Sequence, residues 1–588
     1  MNNMTEVIKI ESLDILAFTA YFLALSYVGF QFGKNSKSSS SDYFLASKSL
    51  PWYVVGSSYI AANISTEHFI GLVGAALLYG VSVATGEWST VIAFSFLIWL
   101  FIPYLLSSKV HTAPEFLELR FNPKVRLIFS TISILANVFA FMGPVIYGGA
   151  LILQEFFAVN MFWACIIVGI TSGGFAIWGG LRSVAFMDVV TIIIMVLGGL
   201  AVTFFGLHQL GDGQGIFAGF AKLVKVNQGN EVWSAEWISQ NVPNILKGSQ
   251  KGDEYSRLSV VQPLNHYSNP WTHWVFSFFY IGLWYTVINQ TMIQKVLGAK
   301  DMYHARMGMV LSSFLKLLLP VIVVFPGLIY FAMKPDMLSN PDWSIVSDEA
   351  NKTYIKMINL LIPTFLKGVL LAALFGAIQS TVSAVVNSTS TLFTMDLYKQ
   401  YFNKDDNDQH YVKTGKWAGL TFLLLSIGFA VILGTVTKVN LFILIQAMYT
   451  FIAPPFSAIF LLGIFWKRVN GTDALVTIFV SFLVAGFLKY LEFGPLADST
   501  NEIANMVKPF ANQALITWII AMVTCTIMAF LTPAAKPEQT TPGLIFSFSG
   551  SAFKEGLGNV WYKSVGFWWS LCVLFLIIIV ILFSVVLK

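Results

Sequence analysis

Charge is scarce in this chain. Only 11% of its 588 residues are Asp, Glu, Lys or Arg, against about a quarter in a typical soluble protein, and that is too little to cover a water-facing surface of this size. A secreted enzyme, a nucleic-acid binder and a disordered scaffold are thereby excluded. Cysteine is scarcer still. Cys165, Cys525 and Cys572 each lie inside an apolar run, where a thiol behaves as a small hydrophobe rather than as a disulfide partner or metal ligand. The sequence also lacks a zinc motif and a phosphate-binding loop, so neither metal nor nucleotide chemistry is implied.

What the chain has instead is apolar material: 56% hydrophobic residues, 52 of them Phe, and a mean hydropathy of +0.71. Roughly 20 apolar residues cross the hydrocarbon core of a bilayer as a helix. Fourteen such stretches are predicted, near 12–33, 52–79, 82–106, 127–157, 162–179, 184–206, 270–290, 307–333, 358–394, 415–436, 439–465, 472–490, 511–531 and 564–587. The first reads as a retained span, because the polar stretch after it has no small-residue cleavage pattern. Loops leading out of odd-numbered spans carry 20 of the 35 Lys and Arg residues, which places those loops in the cytoplasm and both termini outside. Residues 207–268 form the largest external loop, and no soluble domain is expected.

Ionisable groups within hydrocarbon are costly and mark a pathway, a site or a buried pair. Glu67, His68, Glu87, Asp188 and Lys316 are such groups here. For each, the plain alternative is a snorkelling or paired structural residue. Two spans also contain polar, helix-interrupting sequence: Ala61–Gly71 in the second and Gly282–Gln290 in the seventh. Unwound backbone at membrane depth is tolerated only where it lines a cavity or is buried in protein. Breaks at corresponding places in two halves point to a transporter binding site, and these spans are five apart, as the first helices of two five-helix repeats would be. The ninth span carries a hydroxyl-rich run, Gln379 to Ser383 and Asn387 to Thr391. Such a run serves either as a small-residue packing face or, through Ser380 and Thr381 with carbonyls freed near Ala61 and Ile64, as oxygen ligands for a hard monovalent cation.

At these residues the sequence resembles the sodium/glucose cotransporters of the solute:sodium symporter family over nearly its whole length. The match runs through Asp42 to Ala46, Ala61 to Gly71, Glu87-Trp88, Pro114 to Phe116, Gly179 to Leu181 with Asp188, Asn387 to Asp396, and Phe465 to Arg468. The resemblance implies an all-α membrane protein of 14 transmembrane helices with a leucine-transporter-type inverted repeat. Its parts would be a leading helix and cytoplasmic loop (1–49), a first repeat (50–206), an external loop (207–268), a second repeat (269–470) and three trailing helices (471–588).

The resemblance further implies that Asn63, His68, Glu87, Thr90, Lys316 and Gln446 contact a sugar, with Tyr285 closing the inner side and Leu72 and Phe442 forming an outer gate. Sugar hydroxyls both donate and accept, so a carboxylate and amides beside an ammonium and an imidazole suit them. For sodium it implies the carbonyls of Ala61, Ile64 and Ala377 and the hydroxyls of Ser380 and Thr381. Asp188 and Ser383 match part of a second sodium site found in some relatives, but Ala384 stands where a further hydroxyl is needed, so one sodium is expected. Gly86 and Thr286 replace large rings and widen the site.

The implied function is sodium-coupled uptake of a neutral monosaccharide across the plasma membrane, or the inner membrane of a bacterium, by a monomer without an organic cofactor. Rival readings are sodium-coupled uptake of myo-inositol, a sialic acid or a monocarboxylate, a membrane enzyme using His68 with Glu67 or Glu87, and a substrate sensor. Glu87 argues against an anionic solute unless Lys316 compensates.

Overall fold

The computed structural model describes residues 11–34, 39–107, 110, 112–228, 256–264, 266, 269–340, 342–436, 441–497, 499, 501–546 and 554–587. Among them the chain is helical throughout, with isolated bridges such as Leu50 to Ala299 in place of any strand. Eleven helices are long and apolar enough to cross a membrane, and the protein is a multi-pass integral membrane protein. Two of the eleven, Glu67–Ser107 and Met161–Leu210, are 41 and 50 residues long. A single pass uses about 20 residues, so each contains a reversal.

Glycine makes both reversals. Gly80 has φ +77° and Gly180 has φ +61°, a region that costs a side-chain-bearing residue but not glycine. A Cβ would also collide, 2.3 Å from the Arg257 carbonyl oxygen at Gly80 and 2.4 Å from that of Tyr43 at Gly180. Arg257 itself is buried and donates to the carbonyls of Ala76, Leu77 and Leu78 at 3.1, 2.7 and 3.0 Å. It thereby satisfies the acceptors that the helix Val73–Tyr79 leaves open at its end.

The hydroxyl-rich helix Leu366–Thr391 is the centre of the molecule: nearly all its residues after Val369 are buried. It packs along Met161–Leu210 and against the leading helix Ser12–Gly33. Asp14 on the leading helix accepts from the Phe365 and Gly368 amides at 2.8 and 3.0 Å, which caps the start of the central helix. Met302–Val323 lies against Trp52–Asn63, Thr85–Phe96 and the last helix, Val565–Ile581. Gly471–Phe493 and Phe510–Leu531 pack against each other and against Leu441–Phe465.

Two expectations need correction. The ninth span does not start at 358: residues up to Leu361 close a separate helix, Trp343–Leu361, and the chain turns at Pro363 and at Phe365 (φ +75°) before Leu366. That separate helix, with Tyr354 against Phe69 at 5.2 Å between ring centroids, lies over the broken second span. The long external segment is not loop from 207 onward, since the preceding helix runs to Leu210 and Ile216–Gln228 forms a helix packed back against it. The second span is interrupted where its helix-breaking sequence predicts, between Asn63 and Glu67.

Candidate functional site

The helix Trp52–Asn63 stops because its backbone bonds are diverted. Ile64 is extended (φ −83°, ψ 119°). In a continuous helix the Ser65 amide would donate to the Ala61 carbonyl; here it turns to Nδ1 of His68 at 3.4 Å. The Glu67 amide goes to the Ser65 hydroxyl at 3.2 Å and the His68 amide to the Ser65 carbonyl at 3.0 Å. The carbonyls of Ala61, Asn63 and Ile64 are thus released at membrane depth. A π-helical turn, Glu67–Leu72, restarts the span.

The seventh span behaves alike. Two π-helical segments, Phe278–Gly282 and Trp284–Ile288, lead to Asn289 at φ −63°, ψ 116°, whose side chain caps the Thr291 amide at 2.9 Å. The Tyr59 hydroxyl donates to the Thr286 carbonyl at 3.1 Å and ties the two broken helices together.

Between the breaks lies a cavity of about 740 Å³, including its open mouth. Asn63, His68, Glu87, Thr90, Tyr285, Lys316 and Gln446 all line it, as does Leu72. Glu87 is its electrostatic centre: Lys316 Nζ is ion-paired to one carboxylate oxygen, and His68 Nε2 stands 3.3 Å from the other. Because His68 Nδ1 accepts from the Ser65 amide, Nε2 carries the proton toward Glu87. Trp88 donates to the Leu317 carbonyl at 3.3 Å, which holds the two helices that bear this pair. Asn63 donates to the Tyr285 hydroxyl at 2.5 Å.

Thr90 and Thr286 return their hydroxyl protons to their own helices, to the carbonyls of Gly86 and Gly282 at 2.6 and 2.8 Å. Thr90 therefore faces the cavity only as an acceptor. The side chain of Phe442 lies outside the described residues, so the outer gate is represented by Leu72.

The sequence reading did not include Glu67, Ser89, His273, Ser277 and Tyr449 among the contacts, yet all five line the same cavity. Glu67 accepts from Gln446 Nε2 at 3.3 Å. Tyr449, one turn after Gln446, closes the inner floor with Tyr285 and Phe141, whose rings lie 6.0 and 4.6 Å from its own. The spacing 273, 277, 281, 285 places His273 and Ser277 on the face of the seventh span that carries Tyr285, and that spacing was the available signal.

Of the proposed cation ligands, Thr381 and Ile64 meet one residue beyond Asn63. Thr381 Oγ1 is 3.1 Å from the Ala62 carbonyl and 3.2 Å from that of Ile64, so the hydroxyl joins the freed backbone next to Asn63. Ala377 precedes Thr381 by one turn on the same buried helix. Ser380 Oγ is buried beside the Asp188 carboxylate. Asp188 accepts from Ser58 at 2.5 Å and is electrostatically coupled to the buried Lys295. The Ser383 hydroxyl donates to the Ser172 carbonyl at 2.6 Å, which leaves its lone pairs as acceptors. Among the described residues no cluster of three His, Cys, Asp or Glu side chains is arranged to hold a metal ion.

Comparison with known proteins gives this geometry a context. The family model described as sodium:solute symporter family matches residues 43–481. The sodium/glucose cotransporter of Vibrio parahaemolyticus is 32% identical over 540 residues, covering 90% of this chain and 92% of that one. The human sodium/myo-inositol cotransporter is 27% identical over 563 residues, covering 93% and 77%. Among solved structures, a substrate-bound, outward-open Na+-coupled sialic acid symporter superposes with a TM-score of 0.71 at 19% identity, covering 90% of this chain and all of that one. The extent of the family match and the Vibrio relative settle membership: the chain belongs to the sodium:solute symporter family.

Proposed function

We propose that the protein is a sodium-coupled symporter that takes up a neutral monosaccharide of the glucose or galactose type by alternating access. The observation that carries this reading is the convergence of Asn63, His68, Glu87, Thr90, Tyr285, Lys316 and Gln446 on one buried cavity. That cavity adjoins the break whose freed carbonyls meet Thr381. Carboxylate and amide oxygens accept from sugar hydroxyls, while the ammonium and amide nitrogens donate to them. The Lys316 ammonium is already paired with Glu87, which leaves it poorly placed to bind a carboxylate solute as well. The names of the Vibrio and human relatives, glucose and myo-inositol cotransporters, support a neutral polyhydroxylated solute.

Sodium is co-transported cargo in this reading, with ligands from Ala61, Ile64, Ala377, Ser380 and Thr381. Sugar and sodium sites are one peptide bond apart at Asn63 and Ile64, so ordering the break for one ligand favours the other. The fold is a leucine-transporter-type arrangement of fourteen passes, with 50–206 and 269–470 as inverted repeats. The eleven long helices become fourteen once the two glycine reversals and the interrupted helix 271–297 are counted. Both termini face outward, the protein works as a monomer in the plasma membrane or bacterial inner membrane, and it catalyses no covalent step.

The test is uptake of a panel of labelled hexoses, inositol, sialic acid and monocarboxylates into proteoliposomes, with and without a sodium gradient. Hexose uptake that needs the gradient supports the reading; preferential uptake of an acid, or uptake indifferent to sodium, overturns it.

A further inference from the structure

At the end of the cavity away from Tyr285, the His273 imidazole presents a nitrogen to the open space. His273 is buried, its Nδ1 pairs with the Tyr280 hydroxyl at 2.7 Å, and its ring meets the edge of Phe510 with centroids 6.4 Å apart. These contacts fix the ring plane and leave Nε2 facing the cavity. Directly opposite is Gly86, where a Cβ would stand 3.9 Å from Nε2 and would meet no other atom within 4 Å. A residue with a side chain at position 86 would fill that space; glycine leaves it open. Ser277 and Ser89, bonded to each other at 3.2 Å, form the adjoining wall. His273 and Tyr285 are twelve residues apart on the seventh span, about three turns, so the cavity continues well beyond the groups clustered around Glu87.

We infer that His273, positioned by Tyr280 and exposed to the cavity by Gly86, is a specificity-determining contact that hydrogen-bonds one hydroxyl of a neutral polyhydroxylated solute at the outer end of the site. The inference rests on the uptake reading above and adds a residue to it. An imidazole nitrogen that opens onto the cavity is available to a solute, and a solute hydroxyl can accept from or donate to it whichever tautomer Tyr280 selects. Solutes lacking a hydroxyl at that position leave Nε2 unpaired and are discriminated against.

The test is a cycle between functional groups, run on whichever neutral sugar or polyol the wild type takes up. Uptake affinity is measured for the parent and each monodeoxy analogue in wild type, His273→Phe, His273→Gln, Tyr280→Phe and Gly86→Phe. In wild type, loss of the hydroxyl read by His273 costs about tenfold. His273→Phe abolishes that one penalty and preserves those at other positions; His273→Gln, which keeps a polar tip, restores part of it; Tyr280→Phe weakens it. Gly86→Phe blocks the approach to Nε2 while leaving the His273 to Tyr280 bond in place, and it decides the matter if the His273 variants do not fold. Penalties unchanged by these substitutions, or scaled equally at every position, overturn the inference while leaving sodium-coupled uptake standing. A wild type that takes up no neutral solute overturns both.

Discussion

Asn63 donates to the Tyr285 hydroxyl at 2.5 Å, and this bond joins the two interrupted helices at the level of their breaks. Asn63 is the last helical residue before the extended Ile64, while Tyr285 sits in a layer with Phe141 and Tyr449 beneath the cavity. The inner floor is therefore latched to the segment whose carbonyls meet Thr381. In the proposed transport cycle, movement of Tyr285 away from the cavity would give up this bond, so solute release and rearrangement of the cation ligands would share a step.

Tyr285→Phe tests that latch. A neutral hydrogen bond contributes about 0.5–1.5 kcal/mol net, so its loss should raise leak of preloaded solute roughly 2- to 12-fold while the aromatic floor stays filled. Efflux of labelled solute from proteoliposomes without a sodium gradient measures this. An efflux rate equal to that of the wild type would show that the bond does not restrain release.

Glu87→Gln removes the charge that faces both Lys316 and His68. It leaves a buried ammonium without its counter-charge, and a hydrogen bond to a charged group is worth about 1.5–3 kcal/mol. Solute affinity should fall about 10- to 150-fold, with half-saturation by sodium changed much less. Gln446→Glu, which would set a second carboxylate against Glu67, should act in the same direction. Solute titrations at saturating sodium provide the measurement, and an effect confined to sodium activation would contradict the assignment.

Much of this site was legible because membrane physics leaves few reasons for a polar residue in a span. Glu87, Lys316 and the Ala61–Gly71 break stood out against their apolar surroundings, and each takes part in the cavity or its walls. Trp343–Leu361 was missed for the opposite reason: it carries Asp348, Glu349, Lys352 and Lys356 and is too polar to read as a span, although it packs over the second one. Sequence does not reveal which way a helical hydroxyl turns, and that of Ser383 gives its proton to the Ser172 carbonyl. His273 sits in the first turn of a helix after a polar segment, where a polar residue attracts no notice.

The most distinctive family motifs, by contrast, have structural duties. Asp396 accepts from Arg126 and from Thr112 at 2.7 and 2.9 Å, locking the far end of the central segment to the helix Pro123–Ala136. Arg468 donates to the Ala529 carbonyl. Arg120 donates to the carbonyls of Gly463 and Trp466 at 2.5 and 3.0 Å. These groups anchor helix ends that would otherwise present open carbonyls, which explains why such motifs identify the fold more securely than the solute.

Thr381→Ala should weaken sodium first. Its hydroxyl lies 3.2 Å from the Ile64 carbonyl, next to the solute contact at Asn63, and linkage requires each ligand to alter the other's affinity by the same factor. Half-saturation by sodium should rise about 10-fold or more, and solute affinity should recover as sodium approaches saturation. The cation assignment fails if sodium activation is unchanged while solute binding is lost even in saturating sodium.

Asp188→Asn addresses the ion count. Ala384 supplies no side-chain oxygen, and Asp188 faces Ser58, Ser380 and the charge of Lys295, whose ammonium is buried without a hydrogen-bond partner among the described residues. A carboxylate under the influence of a buried ammonium has less reason to recruit a second sodium, but it lies beside Ser380, where on the proposed reading the transported ion would lose its ligands on release. Neutralising it leaves Lys295 uncompensated near that point and should slow turnover by repelling the cation, with one charge still moved per solute. One charge crossing 100 mV supplies about 2.3 kcal/mol and a tenfold sodium gradient about 1.4 kcal/mol, which together sustain accumulation of roughly 500-fold; a second sodium would square that limit. Reversal potentials at several solute gradients give the count directly. A wild-type ratio of two sodium ions per solute, falling to one in Asp188→Asn, would show that Asp188 holds an ion despite Ala384.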